Sequence, residues 1–148
     1  MATVNSKKHK PLDLKAFVIA TLRRASYRWP PREEAFRRAR AGQLRVRGRL
    51  VWHHHCAMCP KDKWYTRKQV KADHIEPVVS TKDGFIGWDV YIPRMLCPVE
   101  GFQILCEQHH SEKTKKEQLE RKLAKLTPEQ AYAYLEKIKK KLAKKKIS

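Results

Sequence analysis

The sequence predicts a small α+β domain, predominantly helical, stapled by a structural zinc ion. Three observations predict it. Two half-sites with metal-ligand spacing, Cys56-x2-Cys59 and Cys106-x2-His109, lie far apart in the chain. Apolar residues recur at helical spacing on both flanks of that segment, whereas short extended runs lie within it. The chain has 148 residues, about one domain, with 33% charged and 41% hydrophobic residues. A core that small gains from a staple.

Residues 1–11 read as a loose basic tail. Leu14, Phe17, Val18 and Leu22 predict an amphipathic helix over about 12–27. Pro30-Pro31 interrupts the chain and opens a second helix, with Glu33 and Glu34 in its first turn, arginines near its end and Gly42 as its stop. Residues 43–55 set Leu44, Val46, Leu50 and Val51 among arginines, a pattern of irregular or strand structure. Lys63–Thr66 and Gln69–Ala72 predict a β-hairpin. Residues 77–100 form a connection with Asp83-Gly84 as a turn. Within it Trp88–Met95 is a short helix candidate, although Pro93 argues against a regular one. The pattern is helical from Glu107 onward. Thr127-Pro128 caps a last amphipathic helix carrying Leu135, Ile138 and Leu142, and Lys144–Lys146 fray at its end.

Lysine plus arginine number 34 against 15 acids, a formal net charge of +19. Such an excess points to a polyanion, because each neutralised phosphate releases counterions. Residues 21–50 hold ten arginines and two acids, and residues 112–148 hold thirteen basic residues and five acids. Arg23, Arg24, Arg37 and Arg38 are the DNA-contact candidates of the first flank. The first ten residues are polar and basic, and no apolar run approaches the ~20 residues that span a bilayer. A soluble, intracellular protein without a membrane partner is expected. In that compartment thiols stay reduced, so the four cysteines suggest a metal before disulfides.

A two-residue gap lets a tight turn aim both side chains at one ion. Two such pairs complete the tetrahedron that zinc prefers, closed to substrate and therefore structural. Cys56, Cys59, Cys106 and His109 are the expected ligands. Cys97 remains as a core thiol or a substitute ligand, and His53, His54 or His55 is an alternative to His109.

Between the half-sites runs Asp73-His74-Ile75-Glu76-Pro77, and His109-His110-Ser111-Glu112-Lys113-Thr114 follows the second. The order Cys-x2-Cys, Asp-His-Ile, Cys-x2-His-His-x2-Lys-Thr resembles the HNH (ββα-metal) endonucleases, in particular their small phage-encoded members, over about residues 56–118. The resemblance implies two strands and a helix around one catalytic divalent ion. Asp73 and His110 would ligate that ion and His74 would be the general base. The sequence departs from the family where Gly101 stands at the usual asparagine position, which leaves the bracing of His74 to backbone groups or Glu100. It departs again at His109, where the family more often has a fourth cysteine.

The chemistry suits these residue types without the resemblance. Phosphodiester hydrolysis needs an activated water and charge neutralisation at the phosphate. A neutral imidazole can take a proton from water, and an ion held by one carboxylate and one imidazole keeps open positions for phosphate and water. Mg²⁺, Mn²⁺, Ni²⁺ or a similar cation fits such a donor set. Lys113 is a phosphate-contact candidate or a solvated helix lysine, and Glu76 a neighbouring carboxylate or a surface residue.

One domain is expected: the tail over 1–11, an arginine-rich helical region over 12–55, the HNH core over 56–118 and basic helices over 119–148. The expected function is a metal-dependent DNA endonuclease, active in phage DNA processing or packaging, with a terminase-like protein as a further partner and the host cytoplasm as its setting. The rivals are a non-catalytic zinc-stabilised nucleic-acid-binding module and a packaging accessory protein. Target sequence, nicking versus double-strand cleavage and oligomeric state are not written in the sequence.

Overall fold

Phe36 is the centre from which the fold is best understood: 1% exposed, it packs with Ala35 against Val70, Phe102 and Ile104. The computed structural model describes residues 13–146, so the expected tail at 1–11 lies outside them. The described residues form an α+β chain of five helices and two small antiparallel sheets. No helix among them is long and apolar enough to cross a membrane.

Helix α1 spans Leu14–Ser26, and its N-cap Asp13 accepts a hydrogen bond from the backbone N–H of Ala16. Helix α2 spans Pro30–Arg38. Prolines suit its first turn, where a backbone N–H would have no helical partner. The helix ends at Arg38, earlier than the Gly42 stop expected from sequence. Gly42 instead lies in strand β1, Arg40–Val46, which pairs with β2, Arg49–His54. The six-membered indole ring of Trp64 lies 2.8 Å from where a Cβ on Gly42 would sit. A bare glycine is therefore needed for the contact.

The hairpin expected from Lys63–Thr66 and Gln69–Ala72 does not form. Strand β3, Tyr65–Thr66, joins β2, while β4, Val70–His74, pairs with β5, Phe102–Cys106. The chain does turn between β3 and β4, with Gln69 Oε1 accepting from both the backbone N–H and the hydroxyl of Thr66. Burial decides the pairing. Val70 and Ala72 alternate onto the face that meets Phe102, Ile104 and Phe36, and only β5 offers a matching apolar strand.

Helix α3, Trp88–Met95, forms with Pro93 inside it, and its side chains Trp88 and Tyr91 stack with Phe85 from the preceding loop as an aromatic cluster. Trp29 donates its indole N–H to the Cys97 carbonyl at 2.7 Å, tying the start of α2 to the end of α3. A single 3₁₀ turn, Val99–Gly101, leads into β5. Helix α4, Glu107–Leu123, leaves β5 directly, and α5, Pro128–Lys146, follows a turn. The terminal lysines thus continue α5 where fraying was expected.

Candidate metal and phosphate site

The first cluster joins the two ends of the central segment. Cys56 and Cys59 lie on the turn after β2, Cys106 ends β5, and His109 lies in the first turn of α4. Their donor atoms all fall within 4.8 Å of one another. Cys59 Sγ and Cys106 Sγ are 3.8 Å apart, and His109 Nδ1 is 3.4, 3.4 and 3.3 Å from Cys56, Cys59 and Cys106. A tetrahedral site with metal–sulfur bonds of about 2.3 Å has sulfur–sulfur edges of about 3.8 Å. The four donors are thus spaced as the corners of such a site and could hold a metal. Burial pushes the Cys56 thiol up, but backbone N–H groups of Cys106 and Met58 outweigh it and hold the thiol below its ordinary value. The Tyr65 hydroxyl lies 3.0 Å from Cys59 Sγ.

The alternatives left open by the sequence resolve here. His53 places Nδ1 3.0 Å from the Val51 carbonyl, His54 packs edge-on to Phe36, and His55 packs edge-on to Trp64. None belongs to the cluster. Cys97 stays outside it too. Burial raises its thiol, so it packs as a neutral side chain.

The second cluster lies on the other side of the first turn of α4. Consecutive helical residues diverge by about 100°, so His109 meets the cysteines while His110 faces β4. His110 Nε2 is 3.9 Å from Asp73 Oδ1. His110, Lys113 and Glu117 recur along one helix face. Lys113 Nζ lies 2.5 Å from Asp73 Oδ2 and 3.2 Å from Glu117, and donates to the His74 carbonyl as well. Gln103, opposite Asp73 in the β4–β5 register, donates to Oδ2 at 3.1 Å. Both donors hold one carboxylate oxygen and leave Oδ1 toward His110. A gap of 3.9 Å is within the span of two bonds of about 2.1 Å each to one ion. Carboxylate and imidazole are a suitable donor pair for a divalent cation.

His74 alternates to the opposite face of β4. Its ring lies 4.7 Å from that of Phe102, its partner across the strands, and its Nε2 is 3.0 Å from the Met95 carbonyl. A carbonyl only accepts, so Nε2 carries the proton and Nδ1 keeps the free lone pair. The bracing expected from backbone or Glu100 therefore comes from backbone. Glu100 is turned to Arg38 at 3.0 Å, and its own N–H together with that arginine holds its carboxyl below the usual range. Gly101 contributes its carbonyl, which accepts from the Ile75 N–H at 2.9 Å. A Cβ at Gly101 would sit 2.6 Å from Cys97 Sγ, so the thiol fills the space that a side chain there would need. Glu76 is exposed, on a neighbouring cleft beside Ile75.

Asp73, His74 and His110 open onto a cleft of about 320 Å³ whose far wall is Arg23, Tyr27 and Arg32 from α1 and α2. Arg32 was missed by the sequence reading. It is partly buried, its guanidinium stacks over the Tyr27 ring at 4.6 Å, and burial lowers its pKa. Among the described residues no carboxylate pairs with it. Its position was one available signal: an arginine in the first turn of α2 opposes the helix dipole and so needs another reason to be there. Of the other candidates, Arg23 lines the cleft. Arg24 reaches back to the Ala20 carbonyl, Arg37 pairs with Glu34, and Arg38 pairs with Glu34 and Glu100. Lys113 is turned inward to Asp73, away from the solvated position considered for it.

Comparison with known proteins adds no relative: no protein-family model, no curated protein and no solved structure matches this chain.

Proposed function

We propose that this chain is a metal-dependent DNA endonuclease of the HNH (ββα-metal) type, with Cys56, Cys59, Cys106 and His109 holding a structural zinc. The observation that supports the reading most is the meeting of Asp73, His110 and an oriented His74 on one cleft, faced by Arg23 and Arg32. Asp73 and His110 would hold the catalytic ion. Such an ion, when bound, neutralises the phosphate and acts as a Lewis acid toward the leaving 3′ oxygen.

The protein's own groups supply the rest. His74, held by the Met95 carbonyl, accepts the water proton at Nδ1. Arg32 and Arg23 bind phosphate oxygens across the cleft. Lys113 and Gln103 fix the Asp73 carboxylate. Phage DNA processing or packaging rests on the resemblance alone, and co-purification with a terminase-like protein tests it.

One observation favours a non-catalytic, zinc-stabilised binding module. The Lys113 ammonium already satisfies Asp73 without an ion. Cleavage of a labelled duplex with added Mn²⁺ separates the two. The endonuclease cuts, and His74→Ala loses roughly a hundredfold or more in rate while binding DNA as before. A module that binds equally well and never cuts, across Mg²⁺, Mn²⁺ and Ni²⁺, contradicts the proposal.

A further inference from the structure

The β1–β2 ribbon is not used by the site described above. From Gln43 to Leu50 every residue is exposed, and β3 pairs only at the base, through His53 with Thr66 and His54 with Tyr65. The outer pairs, Gln43 with Trp52 through Val46 with Arg49, therefore project about 13 Å at 3.3 Å per residue. The tip is Arg47-Gly48, both at positive φ (48° and 80°), the backbone of a tight two-residue hairpin turn. The base is anchored. His54 packs on Phe36, Trp64 covers Gly42, and β2 runs directly into Cys56 of the metal cluster.

The ribbon carries Arg40, Arg45, Arg47 and Arg49, and no acid occurs between Glu34 and Asp62. Leu44, Leu50 and Trp52 are 46%, 59% and 41% exposed, and Arg40 stacks over Trp52 at 4.5 Å. An exposed two-stranded edge with apolar side chains is an aggregation hazard unless it has a partner. Its charge selects a polyanion. Its shape selects a groove, because the major groove of B-form DNA, about 12 Å wide, admits a two-stranded ribbon. The major groove of A-form RNA is too narrow to be read this way.

Resting on the DNA reading of the preceding subsection, we infer that the β1–β2 ribbon enters the major groove of duplex DNA and supplies a base-edge contact separate from the cleavage site. Arginine and glutamine are the side chains suited to guanine and adenine edges, and the register places Arg45 and Gln43 on the face shared with Leu50 and Trp52. Any sequence preference of the chain then arises at this ribbon.

The test uses the full, zinc-loaded protein and a fluorescent 25-bp DNA duplex, without other added divalent ion. An Arg45→Gln/Arg47→Gln/Arg49→Gln variant is compared with Lys139→Gln/Lys140→Gln/Lys141→Gln on α5, which removes equal charge. Expected for the ribbon variant is a loss of roughly a hundredfold in affinity near 0.15 M salt, with the slope of log K against log salt reduced by about 3. The α5 variant loses far less, and an RNA duplex of the same length binds the native protein weakly. Unchanged zinc content and melting temperature exclude misfolding of the exposed tip. Equal losses in the two variants, or equal binding of DNA and RNA duplexes, overturn the ribbon proposal. Because binding is read without cleavage, a chain that binds through the ribbon but never cuts sinks only the endonuclease reading. A chain that cuts DNA and shows no ribbon dependence sinks only this one.

Discussion

At the scale of single residues, His74 takes its orientation from a main-chain carbonyl, and the space around Gly101 shows why no side chain is available for that task. Cys97 Sγ occupies the volume that a side chain at 101 would enter. Gly101→Asn should therefore cost about 1–3 kcal/mol by overpacking. Adding Cys97→Ala should recover much of that loss, and denaturant unfolding of the single and double variants reads the coupling. Arg32 invites a second prediction. Arg32→Ala should lower kcat/KM for duplex cleavage by roughly tenfold or more, the value of one charged hydrogen bond, without changing which metal is preferred. The residues legible in the sequence were those whose chemistry lies in the side chain. Asp73 and His110 entered as candidates through the family resemblance, whereas the Cys3His set, whose donors do gather, could be read from type and spacing. The Met95 carbonyl could not, because every residue has one. Arg32 stood in a crowd of ten arginines; its place in the first turn of α2 was the signal in the sequence, and its partial burial without a carboxylate partner among the described residues sets it apart in the structure.

Among the elements, α1, α4 and α5 were legible because their apolar residues repeat at helical spacing, α2 from its prolines and the order of its charges, and α3 least, because Pro93 argued against it. The strands were shorter and their partners ambiguous. The chain turns after Thr66 as a hairpin would, yet the Val70–His74 strand takes Phe102–Cys106 from thirty residues on, because that strand completes its apolar face. Gly42 illustrates the same limit. It read as a helix stop, and its reason is the Trp64 ring against its backbone. The β4–β5 pair then positions both clusters: one face meets Phe36, and β5 ends in Cys106. Leu105, fully buried against Cys56 and Cys106, is expected to be sensitive to truncation. Leu105→Ala should cost about 2–5 kcal/mol, measured as a shift in the denaturant midpoint.

For the whole molecule, a thin apolar core and a net charge of +19 leave much to the Cys3His cluster, which with a metal bound would be the main clamp between the 56–59 turn and α4. On the zinc reading, a strong chelator should lower the melting temperature and weaken the near-ultraviolet signal of the tryptophans, and zinc should restore both. Protein in which metal removal leaves melting unchanged would show that the cluster is not the clamp. The charge itself was legible at once, but it says only that the partner is anionic. The central claim is hydrolysis at Asp73, His74 and His110. Its most direct test is conversion of supercoiled plasmid by the purified, zinc-loaded protein, with Mg²⁺, Mn²⁺ or Ni²⁺ against no added ion, alongside His74→Ala and His110→Ala. Nicked or linear DNA that forms only with added ion, and in neither variant, is the predicted result. Plasmid that is shifted on a gel but never cut, or cut equally well by both variants, would contradict it.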